Sequence, residues 1–195
     1  MNFLKKLFGN SESRKEQEIK KQDVSLALDD SFVHNFINKN GKFLYCTKMD
    51  EVLVNFQNIL RENKWDNVIC SDIDLLKLTK KVKINSDESF SNLHPFFTTC
   101  EHLIANDGSI MFTSNQLGSN KFSSLSEHFI VYATTSQIVK DTGEGLTSIK
   151  TRFSGNIPTN ISSIKNYNTE NIEADSLDFS NANSKNLYLI LFEDL

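Results

Sequence analysis

Apolar residues recur at helical spacing along the first half of the chain, and each such stretch is paired with a short apolar run. The stretch 32–37 precedes "KFLYC" (42–46), and the stretch 52–60 precedes "NVIC" (67–70). Apolar residues three and four positions apart predict amphipathic helices. Short runs rich in β-branched and aromatic residues predict buried strands. The repeated alternation of helix and strand predicts parallel strands covered by helices, an α/β architecture.

The middle of the chain has a different pattern. The runs "HLIA" (102–105) and "SIMFT" (109–113) are separated by Asn106-Asp107-Gly108, residues that favour the positive φ angles of tight hairpin turns. These runs predict an antiparallel hairpin. "HFIVYA" (128–133) and "LYLILF" (187–192) predict two further buried strands. The predicted sheet is therefore mostly parallel but mixed.

The remaining segments are more polar. "GLTSIKTRF" (145–153) predicts a helix, and "SGNIPTNISSIKN" (154–166) predicts a hydroxyl-rich loop that leads into a short helical turn. "YNTENIEADSLDFSNANSK" (167–185) is acidic and without periodicity, and it predicts a surface excursion.

The first 25 residues differ from the rest. Phe3, Leu4, Leu7 and Phe8 share one face of a short helix, and the mixed-charge segment "SESRKEQEIKKQD" follows. We expect residues 1–25 to form a flexible tail with a short amphipathic helix and residues 26–195 to form one domain. Residues 1–10 bury too little area for more than weak contact with a membrane surface or a partner.

Composition and charge narrow the classes of function. The chain has 195 residues, 38% of them hydrophobic, and a formal net charge of -4. The broad basic footprint of a nucleic-acid-binding protein is absent, so no nucleic-acid partner is expected. Cys46, Cys70 and Cys100 are widely spaced and odd in number, which favours reduced core thiols and a cytoplasmic location.

Polar loops follow the predicted strands, at the edge where α/β sheets commonly bind ligands. We predict an anion pocket there, with Lys121, Lys140 or Arg152 supplying positive charge. The alternative is that these are solvated connections. The predicted ligand-binding residues are Asn106, Gly108, Ser114, Asn115, Gly118, Ser119, Thr135, Ser136, Gln137, Thr159, Ser162 and Ser163.

Candidate catalytic groups are few. Asp107 and Glu101 are the acids placed for a general-base role, although Asp at a hairpin tip also serves turn geometry. His128 is a candidate acid or base, or an exposed histidine at a strand start.

Cofactor signatures are weaker still. His94, Cys100 and His102 are too few and too widely spaced for a zinc site, so no metal is predicted. The cysteines adjoin apolar runs, where a thiol is a poor nucleophile. GxGxxG and phosphate-loop motifs are absent, and no cofactor is predicted.

The chain resembles the LUD domain, the lactate-utilisation family. Ala105-Asn106-Asp107-Gly108-Ser109 is similar to that family's Ala-Glu-Thr-Gly-Thr turn. "SSLSEHFIVYATTSQIV" (123–139), "SGNIPTNISSI" (154–164) and "KNLYLILFED" (185–194) resemble its later blocks. The sequence departs from the pattern at Asn106 and Asp107, and at "ANSK" (182–185), where the family has His-Gly-Pro.

The resemblance implies a three-layer α/β sandwich like that of ribose-5-phosphate isomerase and CoA transferases. It also implies a link to the oxidation of L-lactate, in which partner subunits carry iron-sulfur clusters. The leading hypothesis is an accessory or regulatory protein that binds a small anionic or nucleotide-like ligand or a partner subunit. Two alternatives remain: an isomerase or acyl transferase that uses Asp107 or Glu101, and a scaffold held through residues 1–10.

Overall fold

We analysed a computed structural model of the chain, which describes residues 27–87, 94–167 and 183–194. The predicted tail, residues 1–25, and most of the predicted acidic excursion lie outside the described residues. The helices are α1 (Leu28–Asn38), α2 (Met49–Glu62), α3 (Ile73–Val82), α4 (Ser114–Leu117) and α5 (Thr142–Arg152). The strands are β1 (Lys42–Cys46), β2 (Asn67–Ile69), β3 (Asn85–Asp87), β4 (Phe96–Thr98), β5 (His102–Ile104), β6 (Ser109–Phe112), β7 (His128–Thr134), β8 (Ile138–Val139), β9 (Ser162–Ile164) and β10 (Asn186–Phe192).

The larger sheet has six strands in the order β1-β10-β7-β4-β2-β3. Every pairing in it is parallel, as the alternation of helices and apolar runs predicts. The α/β fold class is therefore confirmed. The hairpin β5–β6 belongs to a second, four-stranded sheet of order β8-β5-β6-β9, in which parallel and antiparallel pairs are mixed.

The two faces of the larger sheet bury different apolar clusters. Ile130 of β7 packs with α2 and α3, and Phe56 of α2 stacks on Phe97 of β4 with ring centroids 4.3 Å apart. Phe129 and Val131, which alternate with Ile130 along the strand, face the cluster that contains Leu103 and Phe112 of the smaller sheet. The smaller sheet therefore covers one face of the larger sheet, and helices cover the other.

The outer face of the smaller sheet is covered by α5. Ile104 and Met111 pack there against Ile149 of the helix. Gly145 brings α5 close to the strands, since a Cβ at this position would lie 3.5 Å from the imidazole of His102. The layers are thus α2 and α3, the larger sheet, the smaller sheet and α5. The sequence predicts helices on both faces of the larger sheet, whereas the smaller sheet packs against one of them.

Several local predictions are corrected. Ser162–Ile164 forms strand β9, not a helical turn, because Ser162 and Ser163 pair with Phe112 and Met111 of β6. Thr47-Lys48-Met49-Asp50 has the Thr-x-x-Asp pattern that predicts a capping box with Asp50, but the capping carboxylate is that of Glu51, which accepts from the backbone N–H of Thr47 at 2.8 Å. His128 is half-buried at the start of β7 and not exposed.

The ends of the predicted acidic excursion belong to the core. Tyr167 is 3% exposed and Lys185 is 4% exposed. The ammonium of Lys185 donates to the carbonyls of Phe122 and Leu125 at 2.7 and 3.2 Å, which compensates its burial. Among the described residues, no helix is both long enough and apolar enough to cross a bilayer.

Candidate functional site: the Glu101 network and the β9 cleft

The hairpin turn predicted as the edge of a site is packed against α1. Asn35 donates from Nδ2 to the carbonyl oxygens of Ala105 and Asn106 at 2.8 and 3.2 Å, and the Lys39 ammonium donates to the carbonyl of Asp107. Gly108 has a φ of 65°, and a Cβ there would lie 2.5 Å from the backbone nitrogen of Phe36. The turn therefore requires glycine for both conformation and space.

The carboxylate of Asp107 is used within the turn. Its Oδ1 accepts from the backbone N–H of Ser109 at 3.0 Å and from the Ser109 hydroxyl at 2.6 Å. The Tyr167 hydroxyl fixes the same turn by donating to the carbonyl of Gly108 at 2.7 Å. Asp107 therefore has the geometry of an aspartate that stabilises a turn. Its hydrogen-bond donors are different from those of Glu101.

Glu101 is the centre of a buried polar network. Its side chain is 3% exposed. One oxygen, Oε1, accepts from the hydroxyl of Thr113 at 3.0 Å and from the amides of Asn115 and Gln116, each at 3.1 Å. The other oxygen, Oε2, forms a salt bridge with Arg152, whose side chain is 49% exposed.

This network neutralises a buried charge and joins three elements. Donors from the β6–α4 junction and the guanidinium from the end of α5 meet on the carboxylate that precedes β5. A buried carboxylate without such partners would be strongly disfavoured. Because its oxygens already have donors and its side chain is enclosed, Glu101 is placed to hold the elements together.

Gln137 links β7 to the same region. Its amide donates to the carbonyls of Cys100 and Glu101, and its own backbone carbonyl lies 3.3 Å from Nδ1 of His102. His102 is 5% exposed, and burial lowers the pKa of its imidazole. Its Nε2 is buried with no hydrogen-bond partner among the described residues.

The neighbouring predicted residues Thr135 and Ser136 hold a carboxylate from the chain itself. Thr135 and Ser136 donate from their hydroxyls to Asp194 at 2.8 and 2.6 Å, and the backbone N–H of Ser136 donates at 3.0 Å. The hydroxyl of Ser136 makes the largest contribution to lowering the pKa of Asp194 to about 2. These hydroxyls therefore bind an anion, but that anion is the side chain of Asp194, two residues beyond the end of β10.

Two predicted loops are joined directly to each other. Ser114 and Thr159 exchange hydrogen bonds, with Ser114 N donating to Thr159 O at 2.8 Å and Thr159 N donating to Ser114 Oγ at 3.1 Å. The amide of Asn160 donates to the carbonyl of Asn120 at 2.8 Å and to that of Gly118 at 3.4 Å. The segments 114–120 and 159–160 therefore lie side by side.

Ser162 and Ser163 line an open cleft of about 480 Å³ between β9 and α5. One part of the lining is apolar and the other carries hydroxyl, amide and ammonium groups. Lys165 contributes a positive charge to this lining, which does not include Lys121, Lys140 or Arg152. The lining residues are Met111, Thr142, Leu146, Ile161, Ser162, Ser163, Lys165 and Asn183.

Two other clefts are less suited to an anion. One, of about 450 Å³, lies beside α2 and carries Asp50 and Glu51 in its wall. The other, of about 480 Å³, runs along the opposite side of α5 and contains Glu144, with Arg152 already bound to Glu101. The β9 cleft carries Lys165, and among the described residues its lining contains no acidic side chain.

Comparison with known proteins identifies the family. The profile of the LUD domain matches residues 33–192. The chain belongs to the LUD-domain family. A crystal structure of a DUF162 family protein from Deinococcus radiodurans has the same fold, with a TM-score of 0.60 and 14% identity over 87% of this chain and 99% of that chain. No curated protein sequence matches this LUD-domain chain.

The sequence located the polar loops of this LUD-domain protein better than it located the cleft. Ser162 and Ser163 were predicted, whereas Met111, Thr142, Lys165 and Asn183 were missed. No motif marks these residues, because they come from separate elements. The sequence signal that could have indicated the cleft was Lys165, which lies two positions beyond the predicted pair Ser162 and Ser163.

The cysteines of the LUD domain are structural. Cys46, Cys70 and Cys100 are free and buried. Burial raises the pKa of Cys70 to about 11 and raises that of Cys100 further, so neither thiol is poised as a nucleophile. Within the described part of the chain, no group of three or more His, Cys, Asp or Glu side chains is placed to hold a metal ion.

Proposed function

We propose that this LUD-domain protein binds a small monocarboxylate in the β9 cleft, as an accessory or regulatory component of 2-hydroxy acid metabolism. The observation that carries the proposal is the division of the cleft wall. Met111, Leu146 and Ile161 offer an apolar surface, and Lys165, Ser162 and Ser163 belong to the polar part of the lining. Ser163 and Lys165 are two residues apart along β9 and its continuation, so their side chains share one face. A short acid has the matching division into an alkyl end and a carboxylate end.

The chemistry of the wall favours carboxylates over larger anions. Hydroxyl donors and one ammonium match the single charge of a carboxylate, whereas phosphate is more often held by several backbone N–H groups or by arginine. Lys165 is exposed, so its ion pair with a ligand gains only about 1 kcal/mol in water. We therefore expect weak, salt-sensitive binding, as is usual for small ligands in open clefts.

The family supports the metabolic assignment. The LUD domain takes its name from lactate utilisation, and the positive charge of Lys165 in the cleft suits a carboxylate such as lactate or pyruvate. We propose that the protein works beside partner subunits that carry out the oxidation, because Glu101 is enclosed in its network and Asp107 is used in its turn. The free, buried cysteines support a reducing, cytoplasmic setting.

The cleft is tested by titrating the full-length protein with L-lactate and with pyruvate, followed by NMR. We expect the wild-type protein to bind with a millimolar dissociation constant. Lys165→Met should weaken binding about fivefold, since it removes about 1 kcal/mol of binding free energy. Lys80→Met, which removes an exposed charge from α3, is the matched control and should leave affinity unchanged. Equal affinity in wild type and Lys165→Met would contradict the cleft assignment.

The accessory role is tested in the same samples. Lactate and pyruvate should remain chemically unchanged over hours in the presence of the protein alone. Conversion of either acid by the isolated protein would contradict the accessory role while leaving the binding site in place.

A further inference from the structure

His102 has hydrogen-bonding capacity that the fold does not use. Its imidazole is packed between β5 and α5, and Nε2 has no partner among the described residues. Leaving a buried polar atom unpaired destabilises the folded protein, because the atom has lost its hydrogen bonds to water. Such atoms in folded proteins call for a specific explanation, such as a ligand or a bound water.

The register of the smaller sheet places His102 next to the β9 cleft. His102 is opposite Met111 across β5–β6, and Met111 is opposite Ser163 across β6–β9. Directly opposed residues of antiparallel strands have their side chains on the same face, with Cβ atoms about 5 Å apart. His102, Met111 and Ser163 therefore form one row, and the last two line the cleft.

Met111 is the side chain between the histidine and the cleft. The Met111 methyl carbon and the His102 Cδ2 lie 3.4 and 3.5 Å from the position that a Cβ would take on Gly145. Cδ2 is bonded to Nε2, so this edge of the imidazole and the Met111 methyl group both face Gly145 of α5. Methionine has a flexible, unbranched side chain that repacks readily.

The protonation of His102 suits it to accept a hydrogen bond. The carbonyl of Gln137, 3.3 Å from Nδ1, is an acceptor only, so the network assigns the proton to Nδ1. Nε2 then carries the lone pair. Burial lowers the pKa of His102, which keeps the imidazole neutral at pH 7.

We propose that His102 is the specificity-determining residue of the cleft and accepts the hydroxyl of a 2-hydroxy acid at Nε2. This inference rests on the proposed function, in which Lys165 and the hydroxyls of β9 hold the carboxylate end of the ligand. Two strand spacings, about 10 Å, separate the backbones of His102 and Ser163. Met111 lies between them, so a hydroxy acid of a few carbons reaches Nε2 through the space freed when the flexible Met111 side chain rotates.

The test compares L-lactate with propionate, which lacks only the hydroxyl, on the full-length protein. Wild type is expected to bind lactate about 3- to 10-fold more tightly, as one neutral hydrogen bond provides. His102→Phe should bring the two affinities together. His102→Gln, whose amide oxygen accepts, should retain part of the preference.

A spectroscopic readout does not depend on the variants folding. In wild type, lactate should shift the ¹⁵N resonance of His102 Nε2, and propionate should not. Equal affinities for the two acids in wild type, or an unchanged preference for lactate in a folded His102→Phe, would overturn the role of His102 but not the cleft assignment. If neither acid binds, or if Lys165→Met leaves binding of both unchanged, the cleft itself is refuted.

Discussion

At the scale of single residues, the Glu101–Arg152 pair shows how a charge is kept inside this protein. Glu101 is enclosed, whereas Arg152 is half exposed. Removing the cation while leaving the buried carboxylate is costly, because the remaining charge has lost its compensation. We expect Arg152→Met to lower the free energy of unfolding by about 2 kcal/mol, since solvent reduces the loss below that of a fully buried pair.

The control for this prediction is a double-mutant cycle measured by urea denaturation. Glu101→Gln removes the charge while an amide oxygen still accepts from Thr113. Arg152→Met should cost much less in the Glu101→Gln background than in wild type. Additive effects of the two changes would show that the pair is not coupled.

At the scale of elements, the hairpin turn between β5 and β6 depends on Gly108. Alanine at this position would adopt the left-handed φ of 65° and would place its Cβ 2.5 Å from the backbone of Phe36. Backbone cannot yield as a flexible side chain does, so we expect Gly108→Ala to lower the free energy of unfolding by about 3 kcal/mol.

Gly155 is a matched control, because its φ is 93° but nothing lies within 4 Å of the added Cβ. Gly155→Ala should lower the free energy of unfolding by about 1 kcal/mol, because it introduces the unfavourable φ without a steric clash. Chemical denaturation of both variants separates the two contributions. Similar losses would show that α1 is not held tightly against the turn.

The elements that the sequence predicted are those with long apolar patterns. β1, β7 and β10 are apolar runs of five or seven residues, and each was recognised. β4 has three residues and β8 has two, too few to show any period, although β4 lies inside the larger sheet. Ser162 and Ser163 carry no apolar signal, so pairing with β6 alone makes them a strand.

At the scale of the whole molecule, local pattern left the arrangement of strands open. The sequence gives no sign that the hairpin forms a separate sheet, since that depends on apolar surface on both of its faces. The cleft is equally non-local, because Met111, Thr142 and Lys165 meet only after β6, α5 and β9 have packed. The polar loops predict an anion-binding surface, and tertiary packing places Lys165 in the lining of the β9 cleft.

The last strand also joins the earliest part of the domain to its middle. β10 lies between β1 and β7 and pairs with both along its length. Without β10, β1 has no partner in the sheet. The apolar clusters on the two faces of the sheet lose Leu189 and Ile190, respectively. We therefore expect a chain that ends at residue 185 to lose cooperative unfolding and near-UV circular dichroism.

A chain that ends at residue 193 is the matched control, since it keeps β10 and loses the Asp194 clamp on Thr135 and Ser136. Asp194 has a pKa lowered to about 2, so its stabilisation is present above pH 4 and is lost as the pH falls toward 2. The exposed position limits that stabilisation to less than about 1 kcal/mol. The 193-residue chain should therefore fold, and its stability should converge with that of wild type as acid is added. A cooperative transition in the 185-residue chain would show instead that β1 docks without β10.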